Sequence, residues 1–207
     1  KHPVYYQRYD RAFSARGFRP TSILEVGVHS GESTKVFSSV FPDAKIVGID
    51  IKRKKIDFSD YPMVTYLQAD QGDATALHAI LEEYFPTGVD LVIDDASHIG
   101  SLSRATWDAV FPHVRSGGLY IVEDWGTGYW DDFPDGGRFQ EYSATLSNGR
   151  PPRRLPSHDF GMIGFVKSLV DYTSEAEIRD TQASSATRNS RVAVLEFSQS
   201  IVIADKK

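Results

Sequence analysis

Five short runs dense in Val, Ile and Leu recur along the chain, and each ends on or beside an acidic residue or delivers one near its end. They fall at residues 23–28, 45–49, 64–67, 89–93 and 118–122. Strands that are apolar almost throughout, rather than alternating apolar with polar, belong to a sheet covered on both faces. Helical stretches are read between them over about 32–40, 74–84 and 102–113. That alternation predicts a parallel sheet with helices packed on each side. Ahead of the first run, Tyr6, Tyr9 and Phe13 stand at three- and four-residue steps. They predict an amphipathic helix over about 4–17, stopped by Gly17 and Pro20. Phe165, Leu169 and Tyr172 restore helical spacing over 161–172, and two apolar runs at 191–197 and 199–204 read as terminal strands. The expected fold class is therefore α/β, a Rossmann-like doubly wound sheet in one domain spanning 1–207.

Composition narrows the chemistry. Of 207 residues, 23 are Lys or Arg and 28 are Asp or Glu, a formal charge of −5. A domain that binds nucleic acid through phosphates usually carries a basic excess, so no nucleic-acid partner is expected. With no cysteine, a disulfide scaffold, a zinc ribbon, an iron–sulfur site and a thiol nucleophile are excluded together. No apolar run approaches the roughly 20 residues that span a bilayer, and no signal peptide opens the chain. A cytoplasmic domain without a membrane span is the expectation.

Regularity breaks over about 126–157, where Gly126, Gly128, Pro134, Gly136, Gly137 and Pro151 mix with Tyr129, Trp130, Phe133, Phe139 and Tyr142. A long irregular stretch inside a compact domain is usually functional. Tyr129, Trp130 and Phe133 are expected to form a lid over a ligand site. Arg150, Arg153 and Arg154 are read as a solvated basic cluster.

In an open parallel sheet, ligands sit outside the carboxyl ends of the strands. This chain delivers Glu25, Asp50, Asp70 with Gln71, Asp94 with Asp95, and Glu123 with Asp124 to that layer. Any one of them can be a helix cap or a turn residue; five in one layer mark a ligand site. The first turn, Glu25-Val26-Gly27-Val28-His29-Ser30-Gly31, lacks the three-glycine spacing that serves a dinucleotide pyrophosphate. Its wider spacing suits a cofactor with a zwitterionic amino-acid end, and Asp50 is placed to accept hydrogen bonds from ribose hydroxyls. Asp95, Glu123 and Asp124 end adjacent strands, and crowded carboxylates call for a cation. Oxygen ligands favour Mg²⁺, with Mn²⁺ or Ca²⁺ as substitutes, over zinc. His98, three residues beyond Asp95, is expected to face the same pocket as a proton acceptor.

The runs ILEVGVHSGES, VGIDI, QADQGD, LVIDDASH and FPHVRSGGLYIVEDW, with YWDDF downstream, carry a resemblance. Together they resemble the class I S-adenosylmethionine-dependent methyltransferases. Among these the chain is similar to the metal-dependent sugar O-methyltransferases of the mycinamicin and macrocin type, and to relatives that methylate mycobacterial mannosides. The resemblance implies seven strands with an antiparallel terminal hairpin. It implies S-adenosylmethionine bound by Gly27, Gly31, Ser33, Asp50, Asp70 and Gln71, and Glu25, His29 and Asp94 beside them are expected to join the cofactor site. It makes Asp95, Glu123 and Asp124 the ligands of Mg²⁺ or Mn²⁺, and His98 the general base. The acceptor it implies is a saccharide hydroxyl, and the assembly a homodimer or larger. The macrolide-sugar enzymes carry an auxiliary amino-terminal domain, for which this chain has no room. A catechol or phenol acceptor, a nicotinamide-dependent oxidoreductase and a catalytically silent cofactor-binding module are the competing readings.

Overall fold

The computed structural model describes residues 3–139, 157–174 and 192–207. Tyr142 and the Arg150, Arg153 and Arg154 cluster lie outside the described residues. Strands β1 (Ser22–Val26), β2 (Lys45–Asp50), β3 (Val64–Gln68), β4 (Val89–Asp94), β5 (Val114–Glu123), β6 (Val192–Ser198) and β7 (Ile201–Lys206) form one sheet. Their order is β3-β2-β1-β4-β5-β7-β6. The first five are parallel, while β7 runs antiparallel to both β5 and β6. The doubly wound sheet with an antiparallel hairpin is as expected. The strand order reverses between β1 and β4, where a crevice opens at the carboxyl edge.

Side-chain parity sorts the core onto the two faces. Leu24, Val92, Tyr120 and Val122 point to the face covered by α3 (Ala74–Tyr84), α4 (Gly100–Val110) and α6 (Gly161–Ser168). Ile23, Leu91, Ile93, Leu119 and Ile121 point to the other, covered by α1 (Pro3–Arg16) and α2 (Glu32–Val40). Trp107 anchors the first layer, stacked on Phe111 at 3.9 Å between ring centres. Tyr9 and Phe13 anchor the second, Tyr9 meeting Phe37 edge-on at 5.4 Å. The buried stripe of α1 is Tyr9, Ala12 and Phe13; Tyr6 sits beside it, half-buried. Arg16 clamps the end of α1, its Nε donating to Asp205 on β7 at 3.0 Å.

Besides end shifts of a few residues, two differences from the sequence reading matter for the site. Strand β5 starts four residues earlier, because Val114 pairs with Val89 before a register shift lets the chain bulge out and rejoin at Leu119 opposite Leu91. The stretch after β5 is less irregular than its Gly and Pro content suggests. A 3₁₀ turn spans Trp125–Tyr129, and a helical segment, α5, occupies 134–139. Asp135 explains that order. It is nearly inaccessible, and its Oδ2 accepts the backbone N–H of Gly100 at 2.8 Å and of Met162 at 2.7 Å, tying the amino ends of α4 and α6 together.

Candidate active site

A cavity of about 480 Å³ opens at the crevice between the carboxyl ends of β1, β2, β3 and β4. That volume lies within the ordinary range for small-molecule sites. Gly27, His29, Ser33, Asp50, Asp70, Gln71, Asp95 and His98 line it, as do Lys52, Ser97 and Leu102, which sequence reasoning did not single out.

Each expected cofactor residue can be placed. At Gly27 the backbone φ is +98°, and a Cβ there would lie 2.3 Å from the carbonyl oxygen of Asp95. Only glycine lets β1 leave the sheet this close to the end of β4. Asp50 Oδ2 accepts the His29 N–H at 2.8 Å and Oδ1 accepts the Lys52 N–H at 3.1 Å. Each carboxylate oxygen keeps a further lone pair for a ligand hydroxyl. Asp70 closes its own turn by accepting the Gly72 N–H at 2.8 Å. Gln71 is buried, its Oε1 accepting the Ser97 N–H at 3.0 Å and its Nε2 donating to Thr106 Oγ1 at 3.1 Å. Gln71 thereby braces the loop that carries Asp95 and His98.

Three of the expected cofactor residues are placed elsewhere. Glu25 is completely buried on the α2 side of β1, where the hydroxyls of Ser33 and Thr34 donate to its two oxygens. It shares the parity of Ile23, so it enters the core beneath α2 and is not among the cavity-lining residues. Gly31 is crowded by the Ile56 and Phe58 side chains, so the backbone there approaches the 51–63 loop. Asp94 has the parity of Val92 and is buried on the α4 side, where Gln71 Nε2 donates to its Oδ1 at 3.4 Å. Burial pushes its carboxyl up to about 7, with the charge of Asp95 adding to the effect.

Parity also separates the expected metal ligands. Glu123, the last residue of β5, follows Leu119 and Ile121 onto the α1 face; it is completely buried and accepts a hydrogen bond from the Tyr9 hydroxyl. The structure therefore does not bring it to the other two carboxylates. Asp124 leaves the strand in a left-handed conformation, φ 54°, which swings its side chain over the sheet edge. There Asp95, His98 and Asp124 each offer a ligand atom within 4.8 Å of one another. His98, also left-handed at φ 54°, places Nε2 3.9 Å from Asp95 Oδ1 and 3.9 Å from Asp124 Oδ2. The two carboxylates, on a partly open edge, are oxygen donors that fit a divalent cation, and the imidazole stands beside them as a group that can take a proton.

The aromatic stretch divides. Phe133 meets the His98 ring edge-on at 5.9 Å, and Trp130, 54 % exposed, meets Phe133 at 5.8 Å. Tyr129 turns the other way, packing on Phe139 at 5.3 Å and His158 at 5.0 Å. Phe133, with Trp130 against it, therefore flanks His98, and Tyr129 belongs to a separate aromatic cluster with Phe139 and His158.

No family model matches the chain. The structure superposes on MycE methyltransferase from the mycinamycin biosynthetic pathway, in complex with Mg, SAH and mycinamycin VI. The TM-score is 0.73 at 32 % identity over 98 % of this chain and 48 % of that one. The fold is that of the class I methyltransferases. Curated relatives carry the same resemblance through sequence. Mycinamicin VI 2''-O-methyltransferase of Micromonospora griseorubida is 36 % identical over 82 % of this chain and 39 % of its own length. Demethylmacrocin O-methyltransferase of Streptomyces fradiae is 33 % identical over 82 % of this chain and 40 % of its own. The chain thus spans about two fifths of the curated relatives it matches. In this methyltransferase fold, the cavity and the Asp95–His98–Asp124 cluster lie at adjoining strand ends, and no helix among the described residues is long and apolar enough to cross a membrane.

The sequence reading missed Tyr5 and Tyr9 as parts of the site. Tyr5 donates to Asp124 Oδ1, and Tyr9 to Glu123. Burial raises both phenols well above their ordinary values, the neighbouring carboxylates adding to the effect. Their spacing of four on α1 is a sequence signal that they share a face; nothing in the sequence points that face at residues more than 110 positions away.

Proposed function

We propose that this chain is an S-adenosylmethionine-dependent O-methyltransferase acting on a hydroxyl of a saccharide or of a glycosylated natural product, with a divalent cation at Asp95 and Asp124. The observation that carries the reading is the convergence of Asp95, His98 and Asp124 at the end of a cavity that also holds Asp50. Support comes from relatives whose names specify O-methylation of mycinamicin VI and demethylmacrocin, and from the MycE complex with Mg, SAH and mycinamycin VI.

In this reading Asp50 receives the ribose hydroxyls and the glycine turn at Gly27 admits the amino-acid end of the donor. His98 Nε2 takes the proton of the acceptor hydroxyl as the oxygen–methyl bond forms and the sulfur–methyl bond breaks. A positioned base of this kind contributes about 10²- to 10⁴-fold. A bound Mg²⁺ or Mn²⁺ would supply Lewis-acid polarisation of the acceptor oxygens. Asp95 and Asp124 hold that charge in place, and Glu123 adds its own from the buried side. Phe133 and Trp130 offer flat apolar surface to a sugar ring and keep water from His98. The 1–207 segment acts as one catalytic domain, in a homo-oligomeric cytoplasmic assembly.

The test is methyl transfer from labelled S-adenosylmethionine to mono- and oligosaccharides, glycosylated macrolides and catechols, each with Mg²⁺ or with EDTA. Saccharide or macrolide methylation abolished by EDTA is expected. Transfer that persists in EDTA would overturn the cation assignment, and transfer to catechols alone would overturn the acceptor.

A further inference from the structure

The amino-terminal helix does more than cover the sheet. Arg16 at its carboxyl end is bonded to Asp205 on β7 at 3.0 Å, and the same guanidinium reaches Glu196 on β6 at 2.6 Å. Asp205 pairs with Leu119, near the start of the regular part of β5, whereas Tyr5 and Tyr9 reach the residues that end that strand. Helix α1 is therefore fixed at both edges of the sheet, and one of its ends lies in the site. Between the two fixings, Tyr9, Ala12 and Phe13 are buried in one cluster with Phe37, Phe41 and strand residues such as Ile23, Leu119 and Ile121. That packing leaves α1 little freedom to slide.

The two phenols meet two consecutive carboxylates. Tyr5 takes Oδ1 of Asp124, and the other oxygen, Oδ2, is the one that faces His98 at 3.9 Å. A carboxylate can rotate about its Cβ–Cγ bond, and Asp124 lies just past the last residue of β5. Its orientation depends on the group from which its first oxygen accepts a hydrogen bond. Among the described contacts, a phenol delivered by a rigid helix fills that role.

We infer that Tyr5 is a positioning residue for the metal centre, holding Asp124 so that one oxygen is spent on the phenol and the other is presented to the cation. One helical turn along, Tyr9 bonds the buried Glu123 and so anchors the same face of α1 to the end of β5. The inference rests on the cation reading above. It makes α1, the element farthest in sequence from β5, the outer coordination shell of the site. Partners of that kind are worth about 10- to 100-fold in metal affinity when removed.

The experiment is Mn²⁺ binding to the 207-residue chain, followed by electron paramagnetic resonance, for wild type, Tyr5→Phe, Tyr6→Phe and Asp95→Asn. Each Tyr→Phe change removes one hydroxyl and keeps the ring, so packing and thermal stability serve as a check that α1 remains docked. Tyr6 is the control, because it lines the groove between α1 and α2 rather than the site. Expected is a 10- to 100-fold weaker Mn²⁺ affinity for Tyr5→Phe, wild-type affinity for Tyr6→Phe, and loss of binding for Asp95→Asn. If wild type binds Mn²⁺, Asp95→Asn abolishes it and Tyr5→Phe matches wild type or binds more tightly, the positioning role is overturned while the cation reading stands. If wild type binds no Mn²⁺, or Asp95→Asn binds as well as wild type, the cation reading falls and takes the positioning role with it.

Discussion

The two halves of the carboxyl edge are built differently. On the β1–β2–β3 side, recognition rests on backbone turns. Gly27 brings the end of β1 close to the backbone of Asp95, and Asp50 accepts the N–H groups of His29 and Lys52, contacts between the ends of neighbouring strands that involve the backbone. On the β4–β5 side the site is made of side chains from three distant segments: Asp95 with His98, Asp124, and the phenols of α1. Short-range turns assemble once their strands pair. The second half exists only when α1, β4 and β5 are all docked. The first half is therefore the sturdier one, and the second is where small changes reach the chemistry.

That contrast can be broken by substitution. The largest effect belongs to His98→Ala, expected to lower turnover about 10²- to 10⁴-fold while S-adenosylmethionine affinity, read by calorimetry, stays within threefold. Equal losses in turnover and donor affinity would erase the distinction between the halves. Asp50→Ala should do the reverse. Losing hydrogen bonds to a charged group costs about 1.5–3 kcal/mol, so donor binding weakens roughly ten- to hundredfold and Mn²⁺ affinity is unchanged. A shift in Mn²⁺ affinity would mean that the two halves are coupled through the cavity.

The smallest effect lies at the opposite end of the sheet, with Asp90. Burial raises its carboxyl, but the N–H and hydroxyl of Thr21 and the guanidinium of Arg115, 2.8 Å away, outweigh that and hold it below its ordinary 3.8. A depressed carboxylate contributes stability above its unfolded value, and loses it as pH falls through the folded one. Asp90→Asn should lower the urea midpoint at neutral pH, by an amount that shrinks as pH drops below the carboxylate range, with methyl transfer untouched. A pH-independent loss would assign Asp90 a purely packing role.

Much of this was legible in the residues. Apolar runs such as 45–49 and 89–93 announce buried parallel strands, because a strand covered on both faces has no polar side. The acidic residues after those runs mark the ligand edge, because the open parallel sheet presents its strand ends there. Asp73, the cap of α3, and Gly27, the sharp exit from β1, are local requirements that a sequence states directly. Even the burial of Glu25 and Glu123 was implicit, since each keeps the parity of the apolar residues two and four positions earlier, Ile23 in one case and Leu119 with Ile121 in the other.

Tertiary structure alone decided what those buried carboxylates meet. Parity can send Glu123 into the α1 face, but only docking of the helix puts Tyr9 against it, 114 residues away. Asp124 needed the left-handed backbone at φ 54° to clear the edge, and it needed Tyr5 to set its rotation. Likewise, Trp130 and Phe133 reach the His98 side while Tyr129 turns inward, because Asp135 pins the segment to the amino ends of α4 and α6. Local pattern determines what a residue is and which face it takes, since both follow from the covalent repeat of the backbone. Which partner stands on that face depends on how distant elements pack, and packing is a property of the whole fold.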